Sequence, residues 1–355
     1  MLFNSQLNII GLDISERSLK AFQFSKGFQG RCKLQAASDV ELVSGIIKDG
    51  QIVEPENMVQ AIKQLLAYPK KGNFIGHHVV ACLPETKTFI KMIDIPPMSR
   101  EEIAEAIKWE AEHHIPIPIA ETYWDWELVK KRADEKRLPI LLGVAPKELV
   151  DNYTQVLNDA NLVTVALEIE AMSLVRSLIN NANEQRNEAT MIIDLGYSRT
   201  SLCVYDRDTI QFTVNVPISG SKMTQEISKT LSLTEVEAEK AKIICGFDPK
   251  KCRGAMQQIL NREIDHLIKR IKETFSFYHE HFPQSDPIKK ITLCGGGANF
   301  KLIDSYLAQA LDMKVVRGNP WCNILGLAPP FSSSIMLSYT TAIGLALRPV
   351  AITYA

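Results

Sequence analysis

The 355-residue chain lacks the features that define several large classes of protein. No run reaches the ~18 apolar residues that a membrane-spanning helix requires, and residues 1–6 lack the basic start and apolar core of a signal peptide. The seven cysteines are scattered and odd in number, so we expect buried thiols in a reducing, cytoplasmic compartment. The formal net charge is only -1, which argues against a nucleic-acid partner held by phosphate neutralisation.

Familiar glycine and metal signatures are also missing. The glycine run at 295–297 does not have the G-x-G-x-x-G spacing of dinucleotide-binding proteins, and no G-x-x-x-x-G-K-[ST] phosphate loop occurs in the chain. Cys245 and Cys252 are too far apart for a zinc knuckle, and the adjacent His113 and His114 would point about 100° apart on a helix. These absences exclude the commonest phosphate-loop and zinc sites.

The chain does contain apolar runs that alternate with segments of helical periodicity, which is typical of an α/β fold. Residues 7–14 and 19–25 predict two strands in a hairpin, because the gap between them is too short for a crossover. From residue 85 the order changes to strand, helix, strand, strand, helix, which predicts a compact inserted subdomain. The polar stretch at 180–188 is the clearest domain boundary, and the helix predicted at 255–281 has an apolar stripe suited to a core.

The first hairpin has an echo in the second half of the chain. In both places an apolar strand ends at an aspartate, Asp13 or Asp194, and a tight polar turn leads into a returning strand. Such self-similarity is a fold-level signal, and two such hairpins would let two lobes face one ligand. Turn N–H groups bind phosphate oxygens, aspartates hold Mg²⁺ directly or through water, and Lys20 can approach the phosphates as a point charge. The sequence therefore predicts a nucleotide with Mg²⁺ at Asp13 and Asp194.

The two hairpins and the glycine run, in this order, resemble the superfamily of actin, the heat-shock chaperones and FtsA. Residues 13–15 with Lys20 resemble its first phosphate loop, residues 194–196 its second, and residues 295–297 its adenosine motif. The resemblance implies that Glu170 orients the attacking water as the catalytic residue. It also implies that ATP is the cofactor and contacts the following residues: Asp13, Ser15, Lys20, Asp194, Gly196, Ser198, Thr200, Glu239, Lys242, Gly295, Gly296, Gly297 and Asn299.

A block in the middle of the chain narrows the resemblance. Residues 93–99 (IDIPPMS), 107–112 (IKWEAE) and 115–119 (IPIPI) resemble the PilM family of type IV pilus assembly proteins. This implies a two-lobe, actin-like (ribonuclease H-like) α/β fold, in which a small inserted α+β subdomain replaces one of actin's, as in FtsA. It also implies an ATP-binding scaffold at the cytoplasmic face of the inner membrane. The implied partners are the cytoplasmic N-terminal tail of a PilN-like membrane protein and other proteins of the pilus assembly platform.

That architecture divides the chain into four subdomains. We expect a first lobe (1A) of residues 1–85, 161–187 and 331–355, an insert (1C) of 86–160, a second lobe (2A) of 188–220 and 286–330, and a subdomain 2B of 221–285. In the insert, strand alternation places Trp124 and Trp126 on one face and Tyr123 on the other. These rings and Trp109 either form the insert's core or meet a partner in a groove between the insert and the first lobe.

The first phosphate loop departs from the family pattern. Ser15 and Glu16 stand where the family has a glycine and a small residue. A serine restricts a turn that needs positive φ, and a glutamate places negative charge beside the phosphates. We therefore expect weakened ATP binding and slow or absent hydrolysis, because positioning dominates phosphoryl transfer.

Two alternatives stay open at this point. One is an FtsA-like cell-division or cytoskeletal homologue, and the other is a small-molecule kinase of the same superfamily. Residues 349–355 lack the amphipathic membrane helix of FtsA, which argues against the first alternative. The insert has no obvious aspartate-bearing sugar site, which argues against the second.

Overall fold

The computed structural model describes residues 8–26, 32–115, 117–129, 137–180, 188–282, 285–324 and 327–351. Several sequence-based predictions fall wholly or partly outside these ranges: those on the N-terminal segment, the turn at 130–137, the boundary at 180–188 and the last residues. The side chains of His113 and His114 are likewise not described.

Within the described ranges, six strands form a first sheet. In spatial order they are β11 (Val163–Ile169), β7 (His78–Leu83), β1 (Ile9–Ile14), β2 (Ser18–Lys26), β3 (Cys32–Glu41) and β6 (Lys71–Gly72). A short ribbon of β4 (Ile47–Lys48) and β5 (Gln51–Ile52) packs into the same core. Strand β1 is antiparallel to β2, with Asp13 opposite Lys20, so the predicted hairpin is confirmed. The sequence pattern does not predict β3, because polar residues interrupt its apolar ones.

The second sheet has eight strands among the described residues. In spatial order they are β16 (Lys314–Arg317), β15 (Ile288–Cys294), β12 (Ala189–Leu195), β13 (Thr200–Asp206), β14 (Thr209–Val216), β8 (Phe89–Ile95), β10 (Leu138–Pro146) and β9 (Thr122–Leu128). The second predicted hairpin, β12 with β13, is confirmed. Strand β8 joins β14 where Lys91 faces Phe212. The strands of the insert therefore extend the second sheet, an arrangement that the sequence does not predict.

The described helices pack on both sheets. They are α1 (Pro55–Ala67), α2 (Arg100–His114), α3 (Lys147–Asp159), α4 (Glu170–Leu178), α5 (Gly220–Leu231), α6 (Glu235–Cys245), α7 (Ala255–His281), α8 (Ile303–Leu311), α9 (Ser333–Leu337) and α10 (Thr340–Ala351). The apolar stripe of α7 lies in the largest hydrophobic core, as predicted. Capping boxes begin α2 at Ser99 and α6 at Thr234, where the N-terminal hydroxyls bond the first turn. Helix α4 begins at Glu170, because the preceding residues belong to β11.

Helix α10 holds the first hairpin against α4. Gly344 approaches α4 so closely that a Cβ there would lie 1.9 Å from the Ser173 carbonyl oxygen. Gly11 in β1 packs against α10, and a Cβ on Gly11 would lie 2.3 Å from the Ala346 nitrogen. Only glycine permits such close backbone approaches. The first residue of α4, Glu170, is thereby fixed relative to Asp13.

The insert has a small core of its own. Trp124 and Trp126 pack with Ile103 and Ile107 of α2, on the face that the alternation predicts. The other face is exposed, and there the Tyr123 hydroxyl donates to Asp151 Oδ1 at 3.2 Å. Two of the aromatic residues are therefore core, and Tyr123 is surface.

The cysteines do not all remain thiols. Cys82, Cys203 and Cys294 are free and buried, as expected. The expectation is wrong for Cys245 and Cys252, which are joined by a disulfide. The chain reverses directly after α6, and this reversal brings the two Cα atoms within 6.2 Å. In the described part of the chain, no helix is long and apolar enough to span a bilayer.

Candidate functional site

A cavity of about 540 Å³ lies between the two sheets. Every residue predicted to contact ATP lines it except Thr200, and so does the predicted catalytic residue: Asp13, Ser15, Lys20, Glu170, Asp194, Gly196, Ser198, Glu239, Lys242, Gly295, Gly296, Gly297 and Asn299. Thr200 is instead buried in β13, where its hydroxyl donates to the Ile218 carbonyl at 2.8 Å. Residues distant in the sequence are thus gathered around one cavity.

The first hairpin presents a buried carboxylate with its own cation. Asp13 ends β1, and Lys20 Nζ lies 3.6 Å from its Oδ2. The thiol of Cys82 donates to Asp13 Oδ1 at 3.6 Å. Burial raises the pKa of Asp13, and Lys20 opposes that rise. The hairpin therefore holds negative charge at the cavity only while a positive group stays close.

Serine is accommodated in the first turn without strain. The Ser15 amide and hydroxyl both donate to the Ser18 carbonyl, at 3.1 and 2.9 Å. Ser15 is not among the described residues that adopt positive φ. The expectation that this turn needs a glycine is therefore wrong, because a hydrogen-bonded turn closes it instead.

The second hairpin presents a half-buried carboxylate that has no lysine opposite it. Asp194 lies across β12 and β13 from Ser201, and burial raises its pKa to about 7. Glu170 adds to this rise, while Arg199 opposes it. Gly295 has φ of 77°, and a Cβ there would lie 2.1 Å from Asp194 Oδ1. Glycine at this position is therefore required both by its backbone and by the carboxylate.

Asp13 and Asp194 both line the cavity. Loss of hydration raises the pKa of both carboxyl groups. A divalent ion beside them would stabilise their charged forms. The described residues contain no group of three or more His, Cys, Asp or Glu side chains arranged for a metal. A bound Mg²⁺ would therefore complete its shell with water and ligand oxygens, as this ion commonly does.

Glu170 is already engaged by two partners. Its Oε2 accepts from Arg199 Nη2 at 2.7 Å, and its Oε1 accepts from the Thr341 hydroxyl at 3.3 Å. A carboxylate held by a guanidinium is a weakened acceptor for a water proton. Arg199 was not predicted, although it belongs to the turn that follows Asp194. Reading that whole turn for charged residues would have identified it.

The opposite end of the cavity combines a buried lysine with apolar walls. Lys242 donates to the Gly220 carbonyl at 2.8 Å and to Thr224 Oγ1 at 2.7 Å, and its Nζ lies 2.7 Å from Glu239 Oε2. Burial lowers the pKa of Lys242, and Glu239 opposes that change. Ile243 and Ile335 expose their side chains here. The combination suits a flat heterocycle with polar edges.

Two contacts tie the hairpin turns together across the cavity. The Ser198 hydroxyl donates to Glu16 Oε2 at 2.5 Å. The Arg17 guanidinium lies 4.9 Å from the centroid of the Tyr197 ring. Glu16 thus occupies a hydroxyl donor that a phosphate oxygen would otherwise accept.

Other lining residues lie outside the predicted motifs. They include Ser18 in the first aspartate turn, Phe300 after the glycine run, and Ser334, Leu337, Ser338 and Thr340 in α9 and at its junction with α10. Those in the turns could have been found by extending the motifs. The segment near α10 offers no motif, since only the folded chain returns it to the cavity.

Two sheets, a duplicated aspartate hairpin and a cavity between them define an actin-like fold. Among solved structures, the chain is similar to a PilM–PilN type IV pilus biogenesis complex, with a TM-score of 0.83 and 24% identity over 97% of this chain and 99% of that one. It is also similar to MreB5 of Spiroplasma citri bound to AMPPNP, with a TM-score of 0.56 and 14% identity over 98% and 97% of the two chains. The predicted fold class is confirmed.

The particular family follows from a match along the chain. The profile described as type IV pilus assembly protein PilM matches residues 11–350, so the chain belongs to the PilM family. Among curated relatives, FtsA of Buchnera aphidicola is 22% identical over 187 residues, which are 46% of this chain and 44% of that protein. FtsA of Borreliella burgdorferi is 24% identical over 193 residues, 48% and 47% of the two chains. The chain spans less than half the length of these curated relatives.

Proposed function

We propose that this PilM-family protein is a pilus assembly scaffold that binds ATP with Mg²⁺ in the cavity between its sheets. The observation that carries the proposal is a pair of aspartates, the buried Asp13 and the half-buried Asp194, which end matching hairpins and face one cavity. A carboxylate removed from water is costly without a compensating charge. Two carboxylates at one cavity fit a ligand that arrives with a cation.

The lining residues divide the nucleotide between them. Asp13 and Asp194 would hold Mg²⁺, while Lys20, Ser198 and the turn amides would bind phosphate oxygens. Gly295, Gly296, Gly297 and Asn299 would lie against the adenosine on one side, and Glu239 and Lys242 on the other. Thr200 would act indirectly, because its hydroxyl fixes the second hairpin. Ser15 would close the first turn.

Isothermal titration of MgATP tests this site. We expect Asp194→Asn to weaken ATP binding at least tenfold, because it removes one carboxylate charge that the cation needs. Asp206→Asn is the matched control: Asp206 is buried in the same sheet but bonds Tyr278, away from the cavity. Equal ATP affinity in the wild type and Asp194→Asn would contradict the proposal.

Hydrolysis is proposed to be slow. Glu170 is the group placed to orient water, yet Arg199 and Thr341 hold both of its oxygens. Glu16 also places a negative charge beside the phosphates. A turnover above about 1 s⁻¹, which is ordinary for enzymes, would contradict this part of the proposal and define a working ATPase.

The proposed partner is the cytoplasmic N-terminal tail of a PilN-like membrane protein, which would hold the scaffold at the inner membrane's cytoplasmic face. The match to a PilM–PilN complex supports this partner. The insert is the proposed contact region. Tyr123 is exposed there, and an apolar groove of about 440 Å³ lies between the insert and α7, lined in part by Phe89, Ile93, Phe212 and Phe277.

A photo-crosslinking tail peptide locates the contact without assuming a groove. We expect crosslinks on residues 89–146, either beside the first sheet or beside α7. The same peptide in scrambled order is the control. Crosslinks confined to α5 and α6, which do not line this groove, would place the partner elsewhere.

A further inference from the structure

The chain passes from the first sheet to the second between β7 and β8, and one buried carboxyl group lies in this crossing. β7 belongs to the six-stranded sheet and β8 to the eight-stranded sheet. Residues 84–88 connect them and begin the insert. Glu85 lies in this crossing with only 1% of its surface exposed. A fully buried glutamate in a connection between two sheets requires a physical account.

Glu85 bonds to elements on both sides of the cavity. Its Oε2 accepts from the Ala171 amide at 3.3 Å, in the first turn of α4. Its backbone carbonyl accepts from Asn215 Nδ2 at 3.0 Å, on β14 of the second sheet. One residue therefore connects the crossing to the helix that begins with Glu170 and to the strand that meets the insert.

Stability alone does not explain a carboxyl group at this position. Glu85 Oε1 has no hydrogen-bond partner among the described residues. Burial raises the pKa of Glu85 to about 7, although the nearby Thr213 hydroxyl opposes the rise. An unsatisfied buried polar atom destabilises a fold. The Glu85 carboxyl group is therefore best explained by its position between α4 and β14.

Short paths lead from Glu85 to both aspartate hairpins. Next to Ala171, Glu170 is paired with Arg199 of the second hairpin. In the same segment as Glu85, Cys82 donates to Asp13 of the first hairpin. A shift of the first hairpin when ligand binds would reach the strand that leads to Glu85 through one hydrogen bond, and a shift of the second would reach Glu85 through one ion pair and one hydrogen bond.

The insert is attached in a way that lets such a shift matter. Among the described strands, β8 joins the second sheet through one residue pair, Lys91 with Phe212. Ile90 and Leu141 of the insert also pack in a core with Ala171 and Leu174 of α4, and the crossing at 84–88 is a further attachment. Its inner bonds include the Thr88 hydroxyl, which donates to the Pro84 carbonyl at 3.2 Å. The angle of the insert therefore depends on where the crossing is held.

We infer that Glu85 is a positioning residue that couples occupancy of the nucleotide cavity to the orientation of the insert, and so to the partner tail that the insert binds. The inference rests on the proposed function. It requires that two ligands share one free energy of coupling, which acts equally in both directions. Glu85 transmits this coupling, because α4 and β14 meet at its side chain and its carbonyl.

The test measures the affinity of the full chain for a PilN N-terminal peptide, with and without saturating MgAMPPNP. In the wild type we expect the nucleotide to change peptide affinity at least fivefold, within the usual range of allosteric coupling. Glu85→Met keeps the side-chain volume but cannot accept the hydrogen bond from the Ala171 amide. The ratio of peptide affinities with and without nucleotide therefore falls to within about twofold of one. Glu85→Gln keeps the acceptor and retains most of the ratio. A purely structural role would lower both affinities and leave their ratio unchanged.

Two further variants keep the test decisive. Asn215→Ala breaks the other contact of Glu85 and is expected to reduce the ratio even if Glu85→Met does not fold. Thr88→Val removes a buried hydroxyl from the same crossing without touching α4, and it retains the wild-type ratio. An unchanged ratio in Glu85→Met or Asn215→Ala overturns the inference. So does a ratio of one in the wild type, which leaves the proposed function intact, whereas failure of the wild type to bind MgAMPPNP overturns both.

Discussion

The two aspartate hairpins share one backbone arrangement but differ in the charge that lies opposite the aspartate. In the first, Asp13 faces Lys20 across the strand pair, so the chain supplies the neutralising charge. In the second, Asp194 faces Ser201, and Arg199, which opposes the rise in its pKa, is already paired with Glu170. The pKa of Asp194 accordingly rises to about 7. Duplication thus preserved the fold while the source of the compensating charge diverged.

This difference assigns the hairpins different dependence on the ligand. Lys20 opposes the rise in the pKa of Asp13, whereas no lysine lies opposite Asp194, so Asp194 has more to gain from an external cation. The second hairpin is therefore the one that a Mg²⁺-bound nucleotide would change most. Each prediction below removes one source of this asymmetry.

The largest effect is expected from Lys20→Met. It leaves Asp13 buried without a counter-charge, and we expect a loss of about 3 kcal/mol in unfolding free energy. Urea unfolding of Lys20→Met, Asp13→Asn and the double variant forms a double-mutant cycle. In the Asp13→Asn background the lysine should matter by less than about 1 kcal/mol. Strictly additive effects would show that the pair does not interact.

The pH dependence of stability should separate Asp194 from Lys20-supported Asp13. Glu85 and Asp194 have ordinary pKa values of 4.5 and 3.8 that burial raises to about 7 in the fold. The stability that these two protonated groups contribute is fully present below their pKa values in the unfolded chain. It is lost as the pH rises through their folded pKa values of about 7. Between pH 5.5 and 8, each group should cost about 2 kcal/mol.

Unfolding free energies at the two pH values measure this cost. Glu85→Gln and Asp194→Asn should each flatten the dependence, and exposed Glu280→Gln should not. Saturating Mg²⁺ and AMPPNP should remove the Asp194 contribution and leave that of Glu85. A dependence that survives in the double variant would place the titrating groups elsewhere.

An intermediate effect is expected from Arg199→Gln. The change frees Glu170 from its ion pair, and turnover of ATP should rise about tenfold, a modest part of what a positioned base supplies. Single-turnover hydrolysis measures the rate, with Arg317→Gln on the same sheet as the control. A fall in turnover would instead show that Arg199 itself supports the reaction.

The smallest effect is expected from Glu16→Ala. It breaks the contact with Ser198 and removes a negative charge near the phosphates, so ATP should bind about threefold more tightly. Titration at low and at 0.5 M salt checks the cause, since screening should shrink the difference. Weaker binding of ATP by Glu16→Ala would assign Glu16 to the metal shell instead.

Local patterns were sufficient to predict much of this molecule. Strand, turn and returning strand around Asp13 and Asp194 are short-range features, as are the capping boxes at Ser99 and Thr234. The stripe on α7 is another, because helical periodicity reports burial directly. Most predicted cavity residues belong to such motifs, which explains why the fold gathers them together.

The missed features depend on contacts between distant segments. The pairing of β8 with β14 depends on where the insert lies, and no local pattern fixes that. Arg199 acquires its role only when α4 brings Glu170 within 2.7 Å. Likewise, no local pattern marks Glu85 as buried, because the contacts that bury it come from α4 and β14, which are distant in the sequence.

The joint between β8 and β14 has a mechanical consequence. A load applied to the insert in the plane of the sheet would be carried by the strand pair at Lys91 and Phe212, by the crossing at 84–88 and by the core in which Ile90 and Leu141 pack against α4. Strands joined along their length resist shear together, whereas a short joint opens by peeling and yields at much lower force. Tension on the insert would therefore open the short strand joint first and transfer the load to α4 and to the crossing where Glu85 lies.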